Sequence, residues 1–202
     1  MKSGMISITG GIELLLDEVS PLFKANTLVN AGVTLMEDGR FDKAVTCLDE
    51  ALGYTADIWY FKGTSLYEMK KYKGALKCYG TALELNPKHS GSKMGKGVTL
   101  HYLGKYKQAI AIYNAIIAEG GKVAVAWFNK ACTFCMMGKD EETFESLRKS
   151  NELDPTNTSI HLETDESFDG IRSTPKFKKL VEELRGHAEC RMPGKQNLNY
   201  IG

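Results

Sequence analysis

The sequence repeats itself at intervals of 34 residues, and this recurrence constrains the fold more than any other feature. Residues 56–89 show the pattern most completely, because large apolar and small residues recur there at helical spacing on both sides of a short polar turn. These residues are Trp59, Gly63, Leu66, Ala75, Tyr79 and Ala82, with Pro87 at the end. The spacing recurs in the segments that begin at residues 90 and 124. Such a period is typical of stacked helical hairpins, since one hairpin cannot bury its own apolar faces.

The repeated pattern resembles the tetratricopeptide repeat, a pair of antiparallel helices that spans 34 residues. In that family a residue with almost no side chain is needed where the two helices cross, and Gly63 and Ala75 hold those positions. Trp59, Leu66 and Tyr79 fill the space around the crossing. The resemblance implies an all-α fold, a right-handed superhelical array of antiparallel helix pairs. It also implies a degenerate C-terminal cap like those that close many microbial arrays.

We predict four repeats, at residues 25–55, 56–89, 90–123 and 124–157. The first is three residues shorter than the period, and the shortfall lies near Gly53. In the fourth, Thr143 and Ser150 replace the two small apolar residues of the second helix.

The two ends of the chain are predicted to close the array. Residues 1–24 form a lead and a cap helix, because the apolar residues after Gly11 have the spacing of one helical face. These are Ile12, Leu15, Leu16 and Val19. Ser20 followed by Pro21 predicts that a new helix begins there. Residues 158–185 form the degenerate cap, with a last helix that starts at Pro175, and residues 186–202 form an irregular tail.

The composition indicates a globular protein of balanced charge. The 26 Lys and Arg residues nearly equal the 25 Asp and Glu residues, so the chain as a whole has no preference for nucleic acid or an acidic membrane. The apolar run Ile12–Leu16 is interrupted at Glu13, which predicts neither a signal peptide nor a membrane-spanning helix of about 20 residues. Five cysteines without an export signal fit a reducing cytoplasm.

The resemblance also predicts where a partner would bind, because the first helix of each pair lines the concave side of such arrays. The groove-facing positions are Val29, Asn30, Val33, Met36, Tyr60, Phe61, Thr64, Tyr67, Met94, Val98, His101, Tyr102, Phe128, Asn129, Cys132 and Met136. They are mostly apolar and aromatic, and Met adapts to varied ligands. A protein or peptide with two or three large apolar anchors would suit them. Each anchor contributes about 1.5–3 kcal/mol, but ordering the peptide offsets much of this, so we expect affinities near micromolar.

The groove lacks the two-carboxylate clamp that holds the acidic C-termini of heat-shock chaperones in the best-known members of the family. That clamp consists of Lys, Asn, Asn, Lys and Arg at fixed positions. Across the first three repeats these positions hold Val29, Val33, Phe61, Gly91 and Gly95, and across the last three they hold Tyr60, Thr64, Gly95, Val125 and Asn129. Without cationic donors a carboxylate would be dehydrated and unpaired. We therefore expect no chaperone tail to bind in this mode.

Three features imitate chemical sites without the surroundings that such sites need. Cys132 and Cys135 have CxxC spacing but no second ligand pair for zinc and no strand-to-helix context for redox chemistry. The run at residues 91–97 departs from the phosphate-loop spacing and follows no predicted strand. The four histidines show no metal spacing. We therefore predict no catalytic residue, no metal and no cofactor, and hence no enzyme.

The function predicted from these observations is a non-catalytic scaffold or adaptor that binds a partner segment in its groove. One alternative is a regulatory or assembly subunit of an enzyme complex. Another is a self-associating structural protein. In that case Tyr200 and Ile201 could enter a neighbour's groove, or the lysines of Leu85–Ala118 could attract the acids of Asp140–Asp169 in a second copy. The sequence leaves the identity of the partner open.

Overall fold

The computed structural model describes the backbone at residues 5–8, 12–15, 21–51 and 55–191, and the side chains at 26–51 and 55–185. Strands β1 and β2 span Met5–Ile8 and Ile12–Leu15. The helices are α1 Pro21–Glu37, α2 Phe41–Glu50, α3 Ala56–Glu68, α4 Tyr72–Leu85, α5 Ser90–Tyr102, α6 Tyr106–Ala118, α7 Val123–Met136, α8 Asp140–Leu153, α9 Pro155–Thr164 and α10 Pro175–Arg191, with a 3-10 turn at Glu166–Phe168. The chain divides into two compact units, residues 1–103 and 104–202.

The N-terminal segment differs from the prediction. Strands β1 and β2 pair antiparallel, with Met5 opposite Leu15 and Ile8 opposite Ile12, so the predicted cap helix is wrong at Ile12–Leu15. Its last residues, 16–19, lie outside the described part of the chain. Four apolar residues in a short run fit a helix and a strand equally well. Gly10 and Gly11, which separate two runs containing β-branched Ile, are the signal that favours a hairpin.

In the first unit the helices pair in sequence order, α1 with α2 and α3 with α4, and α5 packs against α4. The predicted crossing residue Gly63 lies against Tyr79, where a Cβ on Gly63 would approach the ring to 2.8 Å. Gly32 lies equally close to Leu48 in the first pair. These close approaches explain why the sequence keeps glycine at both positions. The all-α array of antiparallel helix pairs is thus confirmed.

In the second unit α7 pairs with α8, and the C-terminal elements pack onto them. The core of this unit is formed by Phe128, Ala131, Cys132, Phe144, Leu147, Leu162, Phe168, Phe177, Leu180 and Leu184. Helix α10 begins at Pro175 as predicted, but it continues to Arg191, so the irregular tail predicted from residue 186 is wrong over its first six residues. Residues 186–191 contain no strong helix-breaking residue apart from Gly186.

The polar substitutions in the fourth repeat are satisfied inside the unit. The Ser150 hydroxyl donates to the Ala124 carbonyl at 3.0 Å and lies 2.8 Å from the Thr158 hydroxyl. The Thr143 hydroxyl donates to the Lys139 carbonyl at 2.8 Å. Because each buried hydroxyl has a partner, the repeat tolerates Ser and Thr where the pattern has small apolar residues.

Candidate functional site

The first helices of the first unit form one continuous surface, because α1 contacts α3 and α3 contacts α5. This surface, which we call the groove face, carries most of the predicted binding positions. They are Val29, Asn30, Val33, Met36, Tyr60, Phe61, Thr64, Tyr67, Met94, Val98, His101 and Tyr102, and all of them are at least partly accessible to solvent. Val29, Met36 and Phe61 also pack on the core cluster around Leu28 and Leu48. Some side chains of the groove face are therefore supported by the core beneath them.

Tyr60 joins two hairpins and is not simply a lining residue. Its ring lies 5.1 Å from the ring of His89 and 6.1 Å from that of Tyr79, measured between centroids. A Cβ on Gly91 would approach the Tyr60 ring to 2.9 Å. The ring thus packs closely against the start of α5, and removing it would disturb the fold as well as any binding.

Tyr79 is held in the same way one turn further along α5. A Cβ on Gly95 would lie 2.6 Å from the Tyr79 ring. The Tyr79 hydroxyl donates to the Thr64 hydroxyl at 3.2 Å. Burial raises the pKa of Tyr79 to about 12, so the phenol stays protonated at neutral pH. Of the predicted lining residues, Thr64 is therefore partly committed to this internal contact.

His89 fixes the start of α5. Its Nδ1 accepts a hydrogen bond from the Ser92 backbone N–H at 3.0 Å, and its Nε2 lies 3.0 Å from the Asp57 carboxylate on α3. The neutral ring with its proton on Nε2 makes both contacts. This role is not predictable from the sequence, because an imidazole as an N-cap follows no common sequence signal.

Three tyrosines meet at the edge of the groove face, where α3 and α5 end and α4 begins. We call Tyr67, Tyr72 and Tyr102 the tyrosine cluster. The Tyr72 and Tyr102 rings stack at 5.5 Å with an interplanar angle of 19°, and Tyr67 lies 5.6 and 5.7 Å from them. Tyr102 is 45% exposed. Burial and the neighbouring Tyr102 raise the pKa of Tyr67, which keeps its phenol protonated.

The sequence analysis missed Tyr72. It is the first residue of α4, a second helix, and the groove positions were taken only from first helices. The signal that could have found it is the short separation of Tyr67 from Tyr72 across one turn, with a third tyrosine in the next repeat. The cluster therefore extends the groove face to the turn between α3 and α4.

In the second unit two predicted lining residues are buried. Phe128 packs edge-on against Phe168, with ring centroids 5.8 Å apart, and lies 5.7 Å from His161. The Cys132 thiol lies 3.7 Å from the Asp165 carboxylate. Their assignment to an open groove is wrong, because the C-terminal cap covers them. Asn129 remains partly accessible and Met136 is 49% exposed.

Two segments of the first unit match a known protein family. Family models described as tetratricopeptide repeat match residues 25–57 and 56–89. The chain therefore contains tetratricopeptide repeats. No curated protein sequence matches it significantly.

Solved structures of tetratricopeptide repeat proteins share the fold. MamA from Desulfovibrio magneticus RS-1 superposes with a TM-score of 0.66 at 19% identity, over 83% of this chain and 97% of that one. YrrB, a protein with an unusual peptide-binding site, gives 0.63 at 24% identity, over 74% and 78%. The second tetratricopeptide repeat domain of human RPAP3, solved with an HSP70 peptide, gives 0.52 at 20% identity, over 56% and 98%.

The CxxC pair on α7 has the properties of thiols packed in the core of the second unit. Burial raises the pKa of Cys135 to about 11 and raises that of Cys132 as well, and the carboxylate of Asp165 adds to both shifts. A raised pKa disfavours the thiolate that redox and zinc chemistry require. Across the side chains that the structure describes, no group of three His, Cys, Asp or Glu residues is arranged to hold a metal ion.

Half of the acidic side chains of Asp140–Asp169, five of ten, form ion pairs within the second unit. These pairs are Glu141 with Lys176, Glu142 with Lys139, Glu152 with Lys149, Glu163 with Arg185, and Asp169 with Arg172. Most of these side chains are exposed, so each pair adds little stability. The pairs do reduce the negative field that the sequence suggested for attracting a basic surface.

None of the described helices is long and apolar enough to cross a membrane.

Proposed function

We propose that this protein is a non-catalytic interaction scaffold that holds a partner's peptide segment on the groove face of its first unit. The observation that carries the proposal is the row of partly exposed apolar and aromatic side chains on three adjacent first helices, α1, α3 and α5. Such a surface offers anchoring contacts that the described residues leave partly exposed. Two structural neighbours that bind peptides, YrrB and the RPAP3 domain, support the same reading.

The proposed partner is a protein or peptide with apolar or aromatic anchors. Val33, Met94 and Val98 offer apolar contact, while Asn30 and His101 can exchange hydrogen bonds with a peptide backbone. In the described part of the chain Cys47, Cys78, Cys132 and Cys135 are free thiols. Free thiols are typical of a reducing compartment, so we propose that the protein acts in the cytoplasm.

The experiment compares affinity capture by the wild type with capture by a Met94→Ser, Val98→Ser double variant. Both positions lie on the groove face, and neither is a crossing residue. Leu85→Ser is the matched control, because Leu85 is an apolar residue of α4 that is 50% exposed and lies off the groove face. Circular dichroism should first show equal helicity for all three proteins.

We expect one protein to be retained by the wild type and by the Leu85 variant, with at least about tenfold less on the double variant. Titration with a peptide from that protein should give an affinity near micromolar. Equal retention by all three, or loss only with the Leu85 variant, would contradict the groove face as the binding site.

A further inference from the structure

The turn between α3 and α4 differs from the corresponding turns of the other hairpins. In those turns the residue with a left-handed backbone is glycine, at Gly39, Gly104 and Gly138, with φ between 68° and 72°. In the α3–α4 turn the residue is Lys70, with a φ of 57°. A residue with a Cβ is less stable than glycine in this region, so the chain carries local strain at Lys70 that the turns at Gly39, Gly104 and Gly138 avoid. Lys122, just before α7, is the other described non-glycine residue with a positive φ.

The strain does not come from a different kind of turn. The Lys70 N–H donates to the Tyr67 carbonyl and the Lys71 N–H donates to the Leu66 carbonyl, both at 2.8 Å. The same two hydrogen bonds close the turns at Gly39 and Gly138. Glycine would therefore fit the α3–α4 turn unchanged. Strain that the fold does not require is a reason to look for a function of the side chain.

The Lys70 side chain projects from the turn that carries the tyrosine cluster. Tyr67 lies in the last turn of the helix before it, and Tyr72 begins the helix after it. Lys70 and Lys73 are exposed, and neither is ion-paired with any residue that the structure describes. Lys71 reaches Asp42 only at 3.8 Å, with both side chains exposed. The edge of the groove face thus combines exposed aromatic surface with three exposed lysines, which outnumber the nearby carboxylates of Asp42 and of Glu68, the latter beside Tyr67.

We propose that Lys70 and the tyrosine cluster form a docking edge for an acidic peptide segment that carries an aromatic side chain next to its carboxylates. This inference deepens the proposed function, on which it rests, since Tyr67 and Tyr102 also belong to the groove face. Tyrosine offers rigid contact area at a small entropic cost, and aromatic rings attract each other edge to face. An ammonium group beside them forms a charge-assisted hydrogen bond with a carboxylate.

A single-stranded nucleic acid could in principle use tyrosines and lysines too, but the geometry favours the peptide. Tyr72 and Tyr102 stack on each other, so one face of each ring is already occupied and cannot take a base. A net charge of +1 also does not give the protein the positive electrostatic field that nucleic-acid binding needs. An incoming phenyl ring, in contrast, can pack against the exposed ring edges.

The test uses labelled synthetic peptides and the full chain, with binding read by fluorescence anisotropy. The probe is a short Gly- and Ser-rich peptide with one Phe flanked by Glu. Two comparison peptides have Gln in place of Glu, or Ala in place of Phe. A single-stranded oligonucleotide of similar length is the fourth probe. Lys70→Gly and Tyr102→Ala test the docking edge, and Lys43→Ala, an exposed lysine of α2, is the control.

We expect the Glu and Phe peptide to bind the wild type and the Lys43 variant equally. Lys70→Gly should weaken it about threefold to fivefold, with a smaller effect at high salt. Tyr102→Ala should weaken it at least about tenfold. Lys70→Gly relieves strain, so its loss of binding cannot be attributed to unfolding.

The proposal is overturned if no peptide binds the wild type, if the Gln peptide binds as well as the Glu peptide, if Lys70→Gly binds like the wild type, or if the oligonucleotide is preferred. The Met94→Ser, Val98→Ser variant separates this outcome from failure of the proposed function. If that variant loses the captured partner while Lys70→Gly keeps it, only the docking edge is wrong. If instead Lys70→Gly loses the captured partner while the Met94→Ser, Val98→Ser variant keeps it, the partner binds the docking edge without the rest of the groove face.

Discussion

Two glycines of α5 accept aromatic rings from the preceding hairpin. Gly91 faces Tyr60, and Gly95 faces Tyr79. Because the glycines are four residues apart, they lie on one face of the helix, and the two rings fix that face in place. The run at residues 91–97 that imitates a phosphate loop in sequence is therefore a packing surface. Its glycines make room for the aromatic contacts between two repeats.

We predict that Gly95→Ala destabilises the first unit by about 1–3 kcal/mol. The new methyl group would lie 2.6 Å from the Tyr79 ring, which is 2% exposed and held by its hydrogen bond to Thr64. Gly80→Ala in α4 is the matched control, since nothing lies within 4 Å of its Cβ position. That change should stabilise by about 0.5–1 kcal/mol through helix propensity. Urea unfolding measures both, and equal effects would contradict the role of Gly95.

We predict that Lys70→Gly raises the free energy of unfolding by about 1 kcal/mol, because glycine adopts the left-handed backbone without a Cβ penalty. Gly39→Ala tests the converse at the corresponding turn. No atom lies within 4 Å of its Cβ position, so the loss of about 1 kcal/mol expected there reports backbone conformation alone. Urea midpoints provide the measurement. A Lys70→Gly protein that is less stable than the wild type would show that the lysine side chain supports the fold.

Labelling kinetics should show that the CxxC thiols are unreactive near neutral pH. Burial, with Asp140 and Asp165 nearby, raises the pKa of Cys135 from 9.0 to about 11. Only the thiolate is alkylated, so at pH 8 Cys135 should react about 100-fold more slowly than an unperturbed thiol. Its rate with iodoacetamide should keep rising about tenfold per pH unit up to pH 10. Mass spectrometry follows the reaction, with protein in urea as control; a rate that levels off near pH 9 would contradict the shift.

At the scale of the element, the sequence predicts the hairpins well and the ends poorly. Crossing residues such as Gly63 and Ala75 can be recognised because only a small side chain fits there, whatever surrounds the repeat. The strand Ile12–Leu15 could not be distinguished from a helix, since so short a run with three apolar residues satisfies both periods. The burial of Phe128 could not be foreseen either. It depends on where the shortened α9 places Phe168, and no repeat pattern specifies that contact.

Arg172 closes the C-terminal end of α9, and we predict that Arg172→Ala destabilises the second unit by about 2 kcal/mol. Its guanidinium donates to the carbonyls of Leu162 at 3.1 Å and Asp165 at 2.8 Å, to that of Glu163, and to the Asp169 carboxylate. Arg172→Lys should not restore stability, because one ammonium cannot reach these acceptors together.

The control for this prediction is Arg185→Ala. Arg185 forms an exposed ion pair with Glu163, whose loss should cost less than about 1 kcal/mol. Urea unfolding gives the stabilities, and hydrogen exchange of α9 locates the effect. Comparable losses for Arg172→Ala and Arg185→Ala would mean that the carbonyl contacts contribute little.

At the scale of the whole molecule, the repeat pattern predicts that the proposed binding surface lies on first helices, but it predicts the composition of that surface less well. Position within the repeat places Met94 and Val98 on the groove face, since the family pattern fixes which side of α5 faces away from the second helices. It does not show that Tyr60 packs between two hairpins. That contact depends on the glycine at residue 91 of the next repeat. Nor does it include Tyr72, because that residue reaches the surface from a second helix.

The balance of charge over the whole molecule leads to a last prediction, that the mass of the protein in solution does not rise when salt is lowered. Association through opposite charges requires unpaired charge on both surfaces, and falls as ions screen it. In the second unit five of the ten acidic side chains between Asp140 and Asp169 are bound to Lys or Arg of the same unit, which halves the unpaired negative charge of that segment. The exposed lysines of a second copy would have to displace those partners for little net gain. Light scattering after size-exclusion chromatography at low and high ionic strength measures the mass, and an increase at low salt that a Glu145→Lys, Glu166→Lys variant abolishes would establish head-to-tail association instead.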